Sequence, residues 1–169
     1  MSVEIEAVRA RPSDLGTVLS ILEEAALWLA SRGIRQWLPG TFCRERIGFR
    51  IGRGEVYLFV LGGRSVGSMV LQWSDEETWG DVPNDAGYVH GLAIRRDQAG
   101  KGLGRELLRW AEARVADAGA AYLRLDCAAE NRMLNDYYAG AGFRYSGRAH
   151  VCGLEVSRYE KTVGAAAEG

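Results

Sequence analysis

The segment Ala99-Gly100-Lys101-Gly102-Leu103-Gly104-Arg105 sets three glycines on alternate positions at the entry to a helical pattern. Glycine removes side chains where a backbone must turn, and the first amides of a helix have no partner within it. With the positive end of the helix dipole behind them, those amides suit an anion, phosphate best of all. The segment is not a Walker loop, because Gly102 follows Lys101 where Ser or Thr is needed and Arg95 occupies the first glycine position. Nor is it a dinucleotide fingerprint, since Arg105 stands where the third glycine belongs. On the glycines alone, a ligand-free turn and an anion site are equally good readings.

The wider order of motifs separates the two. YVHGLAI (88–94), an arginine-bearing loop, GKGLG, an amphipathic helix, LRLDC, Asn131 and YYAGAGF (137–143) together resemble the GNAT superfamily of N-acetyltransferases. The resemblance covers most of the chain and is strongest from Tyr88 to Phe143. It implies an α/β (α+β) fold of three layers, with a mixed central sheet of six to seven strands, about four flanking helices, and a splay between the fourth and fifth strands. It also implies acetyl-CoA, or another acyl-CoA, as co-substrate, with its phosphates cradled by the backbone of Ala99, Gly100, Lys101, Gly102, Leu103, Gly104 and Arg105. In the family that turn opens on Gln or Arg, and Ala99 departs from this, so Arg95, Arg96 or Gln98 is expected to take over the missing contact.

Acetyl transfer to an amine needs a neutral amine, a stabilised oxyanion and a proton for the departing thiolate. Gly91, inside a strand, is the residue type that marks a bulge or a close backbone approach. The resemblance implies that the backbone of Leu92, Ala93 and Ile94 pairs with the pantetheine arm, one amide facing the thioester carbonyl. By the same resemblance Tyr138 is the general acid and Asn131 binds the pantetheine or phosphate portion. His90 is the candidate base, or the anchor of a water acting as base, because histidine ordinarily changes charge near neutrality. Alternation puts Tyr88, His90 and Leu92 on one face if no bulge intervenes. Asp126 would orient His90 or accept the proton; pairing with an arginine is the alternative. Trp37 and Trp79, with Tyr88, are expected to line the acceptor pocket. Cys127, at an apolar strand position, reads as core and not as a nucleophile.

The elements that must carry these groups follow from periodicity. Val3 to Arg9 alternates as a strand, and a helix from Ser13 or Asp14 carries the stripe Leu15, Val18, Leu19, Leu22, Ala26 and Leu29 until Gly33. A short helix is expected around Cys43 to Ile51. Gly62-Gly63 joins the strands Glu55 to Leu61 and Ser65 to Trp73 as a hairpin. Ser74 to Ala86 reads as a long polar loop of the kind that carries function. The strand Tyr88 to Ile94, the glycine turn, a helix ended by Gly119, the strand Ala120 to Cys127, a helix from Arg132 to Ala141 and two last strands complete a single domain, 1–163, with a frayed tail at 164–169.

Composition limits the function classes. Apolar residues make up 47% and charged residues 25% of 169, enough to bury one substantial core. Basic and acidic residues, 21 against 22, leave a net charge of -1, so no nucleic-acid partner is expected. Three cysteines and two histidines, widely spaced, imply neither a disulfide framework nor a metal site. With no signal pattern and no apolar run of spanning length, the expectation is a cytoplasmic protein with no membrane partner. The edge strands and the Trp-bearing loops would support a homodimer. The function expected is acetyl transfer from acetyl-CoA to a primary amine of a small molecule by direct attack. The alternative is a catalytically idle acyl-CoA-binding sensor or interaction module, which Ala99 favours.

Overall fold

A computed structural model describes residues 4–164. Val3 and all but the first residue of the expected tail lie outside the described residues. In chain order the elements are β1 (Glu6–Arg9), α1 (Leu15–Ser31), α2 (Arg44–Gly52), β2 (Val56–Leu61), β3 (Arg64–Gln72), α3 (Glu76–Trp79), β4 (Ala86–Ile94), α4 (Leu103–Asp117), β5 (Tyr122–Ala128), α5 (Arg132–Gly140), β6 (Arg144–Val151) and β7 (Leu154–Thr162). The strands form a mixed sheet of order β1-β2-β3-β4-β5-β7-β6. This is the α/β class expected from the sequence. The unexpected helix is α3, which lies inside the segment read as a loop. Among the described residues no helix is long and apolar enough to cross a membrane.

Backbone proximity groups the chain into two units, Met1–Leu71 with Gly91–Leu107, and Gln72–His90 with Leu108–Gly169. The units interleave along the sequence, changing over at the end of β3, within β4 and again within α4, so neither is a contiguous segment.

In the first unit α1 buries Val18, Ile21, Leu22, Ala25, Ala26 and Leu29, spaced as one helical stripe. Most of that stripe joins Ile51, Val56, Leu58 and Ala93 in one apolar core. Gly33 has φ +69°, and Ile34 N–H donates to the Leu29 carbonyl at 3.0 Å, the six-to-one bond of a Schellman stop. The hairpin from β2 to β3 turns at Gly62 and Gly63, both at positive φ, which a two-residue turn matched to strand twist requires.

In the second unit β4 runs parallel to β5, with Ala86, Gly87 and Tyr88 opposite Tyr122, Leu123 and Arg124. His90 and Asp126 lie beyond this paired stretch, where the expected splay opens. On its other edge β5 pairs with β7 from Tyr122↔Thr162 to Ala128↔Val156. Leu123, Leu125 and Cys127 on β5 and Val156 and Tyr159 on β7 are buried.

Candidate active site

His90 meets a carboxylate that the sequence reading missed. Its Nε2 stands 3.3 Å from Asp75 Oδ2, with the two side chains only 26% and 10% exposed. Asp75 Oδ1 accepts from the Thr78 amide at 3.2 Å, so this residue also caps α3. Its Oδ2 is buried without an aligned hydrogen bond, which leaves the imidazole as its natural counterpart. Asp126 completes the group: one donor atom from each of Asp75, His90 and Asp126 lies within 4.8 Å of the others. Asp126 therefore faces His90 and not an arginine; its register partner Arg158 bonds Asp81 instead.

The two carboxyls are pushed apart. Burial raises Asp126 above its ordinary range, the neighbouring Asp75 charge adds to the rise, and His90 opposes it. Burial acts on Asp75 in the same direction, but the imidazole of His90 and the amide of Thr78 outweigh it and hold that carboxyl low. Titratable neighbours driven in opposite directions are a common mark of an acid–base site. Three such donors at this spacing would also suit a divalent cation, but His90 Nε2 and Asp75 Oδ2 already face each other at 3.3 Å.

What carries Asp75 to His90 is the pinned path of residues 74–85. Arg124, buried on β5, donates to Glu160 at 2.8 Å, to the Pro83 carbonyl at 2.8 Å and to Tyr88 Oη at 3.0 Å. Arg158 on β7 donates to Asp81 at 2.6 Å and to the Thr78 carbonyl at 3.2 Å. Both guanidiniums lie 5.0 Å from the Trp79 ring, which is packed with Tyr88, Ala86 and Val82. The expectation that Trp79 and Tyr88 line an acceptor pocket is thereby corrected. They are 2% and 1% exposed, their faces taken by arginines and by each other, and they anchor the segment instead. The sequence did hold a signal for the cap: Asp75 followed by Glu76, Glu77 and Thr78 is an N-cap with an acidic first turn.

Tyr138, on α5, is packed against Phe143, Tyr159 and Tyr137. Burial pushes its phenol well above the usual tyrosine range, with the nearby Cys127 and Asp126 adding to the rise, so the hydroxyl holds its proton. Asn131 is buried, and its Oδ1 accepts from the Leu134 amide at 3.2 Å, making it the N-cap of α5. That oxygen caps the helix. Asn135, not anticipated, donates to the Ala128 carbonyl at 3.2 Å and accepts from Tyr159 Oη at 2.7 Å, tying α5 to β5 and β7. Cys127 is fully buried, and burial pushes its thiol up to about 12, in keeping with a core residue.

In the first unit Gly91 has φ +58°, a conformation other residues reach only with strain, so the pleat of β4 is interrupted there. The alternation expected from Tyr88 through Leu92 cannot be carried across it. Beyond it, Ala93 packs its methyl into the core, and its carbonyl passes so near β3 that a Cβ on Gly67 would come within 3.1 Å of it. Gly100 and Gly102 both have positive φ, and a Cβ on either would meet nothing within 4 Å. The turn is thus open, and the Glu106 amide donates to the Gly102 carbonyl, which starts α4. By the helix pattern the amides of Leu103 and Gly104 precede the first ladder bond of α4, where an anion cradle would form. Lys101 is exposed beside Gln98, their polar atoms 3.5 Å apart.

Ala99 has no side chain long enough to reach a phosphate, and two of its expected substitutes, Arg95 and Arg96, contact α1. Arg95 donates to Ser20 Oγ at 2.9 Å, and the Arg96 guanidinium sits 3.8 Å from the Trp28 ring centroid while its amide donates to Glu24. Arg95 and Arg96 therefore dock on α1, and of the three residues expected to take over for Ala99, Gln98 lies instead beside Lys101. Trp37 lines a cavity of about 310 Å³ in this unit, with Phe42, Ile47, Val70 and Gly91.

Comparison with known proteins adds to this geometry. Residues 22–143 match the family model described as Acetyltransferase (GNAT) family. The Bacillus subtilis protein named Uncharacterized N-acetyltransferase YesJ is 32% identical over 158 residues, covering 88% of this chain and 86% of its own. A GNAT-family acetyltransferase structure from Listeria monocytogenes superposes with a TM-score of 0.79 at 28% identity, over 96% of this chain and 98% of that one. The fold is shared by yncA of Salmonella typhimurium, a structure with its cofactor acetyl-CoA, at a TM-score of 0.69 and 14% identity over 98% of each chain.

Proposed function

The chain belongs to the acetyltransferase (GNAT) family, and from that premise we propose that it transfers acetyl from acetyl-CoA to the primary amine of a small molecule by direct attack. The observation that carries the reading is His90 held by Asp75 at 3.3 Å, one residue before the positive-φ Gly91. The open turn at Gly100 and Gly102 fits a phosphate-bearing co-substrate, whose contribution when bound is the acetyl thioester.

The chain's own groups then handle two protons. Asp75 receives the Nε2 hydrogen of His90, which leaves the Nδ1 lone pair to take a proton from the amine, directly or through a water. As the amine nitrogen bonds to the acetyl carbon and the carbon–sulfur bond breaks, Asp75 and Asp126 offset the positive charge formed on the imidazole. Tyr138 gives its phenolic proton to the departing sulfur and recovers one from solvent. The backbone of Leu92, Ala93 and Ile94 supports the thioester arm, and the amides from Gly102 to Arg105 support the phosphates. The cytoplasm, where acetyl-CoA and free thiols coexist, is the proposed compartment; Cys43, Cys127 and Cys152 are all free.

A thermal melt tests the cradle. Acetyl-CoA at a hundredfold excess over Kd contributes about 2.7 kcal/mol, or about 5–10 °C in Tm for a chain of this size. Gly102→Trp should abolish that shift, because Gly102 sits at φ +78° on the open turn. No shift in the parent protein, or an unaltered shift in the variant, would end the cofactor assignment. Release of free thiol across an amine panel then tests turnover.

A further inference from the structure

The cavity lined by Trp37 combines apolar and basic residues in its lining. The N-cap Cys43 and the α2 residues Arg46, Ile47 and Arg50 recur at helical spacing and all four line the cavity, Arg46 exposed and Arg50 half-buried. Arg46 and Arg50 are the charged residues among its lining, and no carboxylate is. Deeper in, Leu22, Trp37, Phe42, Val56 and Val70 make the wall apolar. On β3 the register sets Ser68 opposite Leu58 and Val70 opposite Val56, and Leu58 and Val56 belong to the core beneath α1. Ser68 therefore projects to the cavity side of the sheet. It is 1% exposed, and its Oγ is buried with no hydrogen-bond partner. A buried hydroxyl left unpaired costs stability unless something completes it. Gly91 closes one side, and a Cβ there would contact Leu22 and Val70 at 3.8 Å.

We propose that the acceptor is a small amine carrying both an apolar body and a carboxylate, the chemistry of an apolar α-amino acid, with the carboxylate taken by Arg46 and Arg50 and a polar atom completing Ser68. A cavity of about 310 Å³ suits a molecule of that size. Guanidiniums bind carboxylates through paired, charge-assisted hydrogen bonds, so the anion should decide selectivity. This inference rests on the acetyltransfer reading for its amine, but the pocket's preference can be measured without turnover.

The test compares L-phenylalanine with L-phenylalaninamide, 2-phenylethylamine, L-glutamate and the peptide Phe-Ala-Ala-Ala. Binding is read by calorimetry on the full chain and turnover by thiol release with acetyl-CoA. L-phenylalanine should bind at least tenfold tighter than its amide and lead the panel in kcat/KM. In Arg46→Gln and in Arg50→Gln that ratio should fall toward one, with circular dichroism confirming that each variant is folded. Equal binding of acid and amide, a better result with glutamate or with the peptide, or a ratio that survives both substitutions overturns the proposal. Carboxylate-selective binding without acetyl-CoA stabilisation would keep the pocket assignment and reject acetyltransfer, so the two failures are distinguishable.

Discussion

Replacing Asp75 by asparagine removes one charge and almost no volume, which isolates what the carboxylate does for His90. At 3.3 Å, with an effective dielectric of about 20, Coulomb's law gives a gross attraction of about 5 kcal/mol between Asp75 and a protonated His90. Desolvation and the partial exposure of the imidazole reduce this to the about 1.5–3 kcal/mol typical of a hydrogen bond to a charged group. At about 1.36 kcal/mol per decade, Asp75→Asn should lower kcat by about 10- to 150-fold. An amide at this position would also donate toward Nε2 and favour the tautomer with hydrogen on Nδ1, the atom needed as base, so the loss falls at the upper end of that range. Stability should behave differently. Asparagine caps a helix about as well as aspartate, so the α3 cap persists and Tm at pH 8 stays within about a degree, whereas Asp75→Ala costs about 0.5–2 kcal/mol through the lost cap. The assay is steady-state thiol release at saturating acetyl-CoA, paired with thermal melts of both variants. If Asp75→Asn keeps kcat within twofold, or if its activity falls only in step with its Tm, the proposed role of Asp75 is wrong.

Tyr138→Phe should lower kcat by about 10²- to 10⁴-fold with KM for acetyl-CoA nearly constant, and without a drop in Tm, because no hydrogen bond ties this hydroxyl among the described residues; a matching fall in Tm would mark it as structural. Because burial raises Asp126, its ionisation costs more in the folded than in the unfolded state, and that cost is absent below the unfolded carboxyl pKa and complete above the folded one. Asp126→Asn should therefore gain Tm over the parent progressively as pH rises from 4 through the carboxyl range, then level off; a gain that shrinks with pH refutes this. Trp79→Ala should cost about 3–5 kcal/mol and reduce activity by releasing the segment that carries Asp75. Trp79→Phe should be far milder, since the indole Nε1 is buried without a partner, and equal losses in the two variants by urea unfolding would contradict the anchoring role.

Much of the framework was legible because it rests on local chemistry. The stripe of α1, the Gly62-Gly63 hairpin, the glycine turn before α4 and the end of α1 near Gly33 each depend on residues a few positions apart. His90 and Asp126 were singled out the same way, as chemically capable residues inside recognisable strand patterns, whereas Tyr138 was named only through the family resemblance. Arg46 and Arg50 were equally visible as an i, i+4 pair, yet nothing local says that this face of α2 turns to a cavity and not to solvent.

The partners were decided only in three dimensions. Asp75 lies fifteen positions before His90 in a polar stretch with no strand or helix long enough to betray its path. It reaches the imidazole because Arg124 and Arg158, from strands formed much later in the chain, hold that stretch by its carbonyls and carboxylates. The same contacts turn Trp79 and Tyr88 inward, and the docking of Arg95 and Arg96 on α1 takes away cations that sequence proximity had offered to a phosphate. Periodicity reports which side of an element is apolar, a property of neighbours along the chain. Which charge meets which depends on sheet register and loop path, which the chain settles only when its distant segments pack.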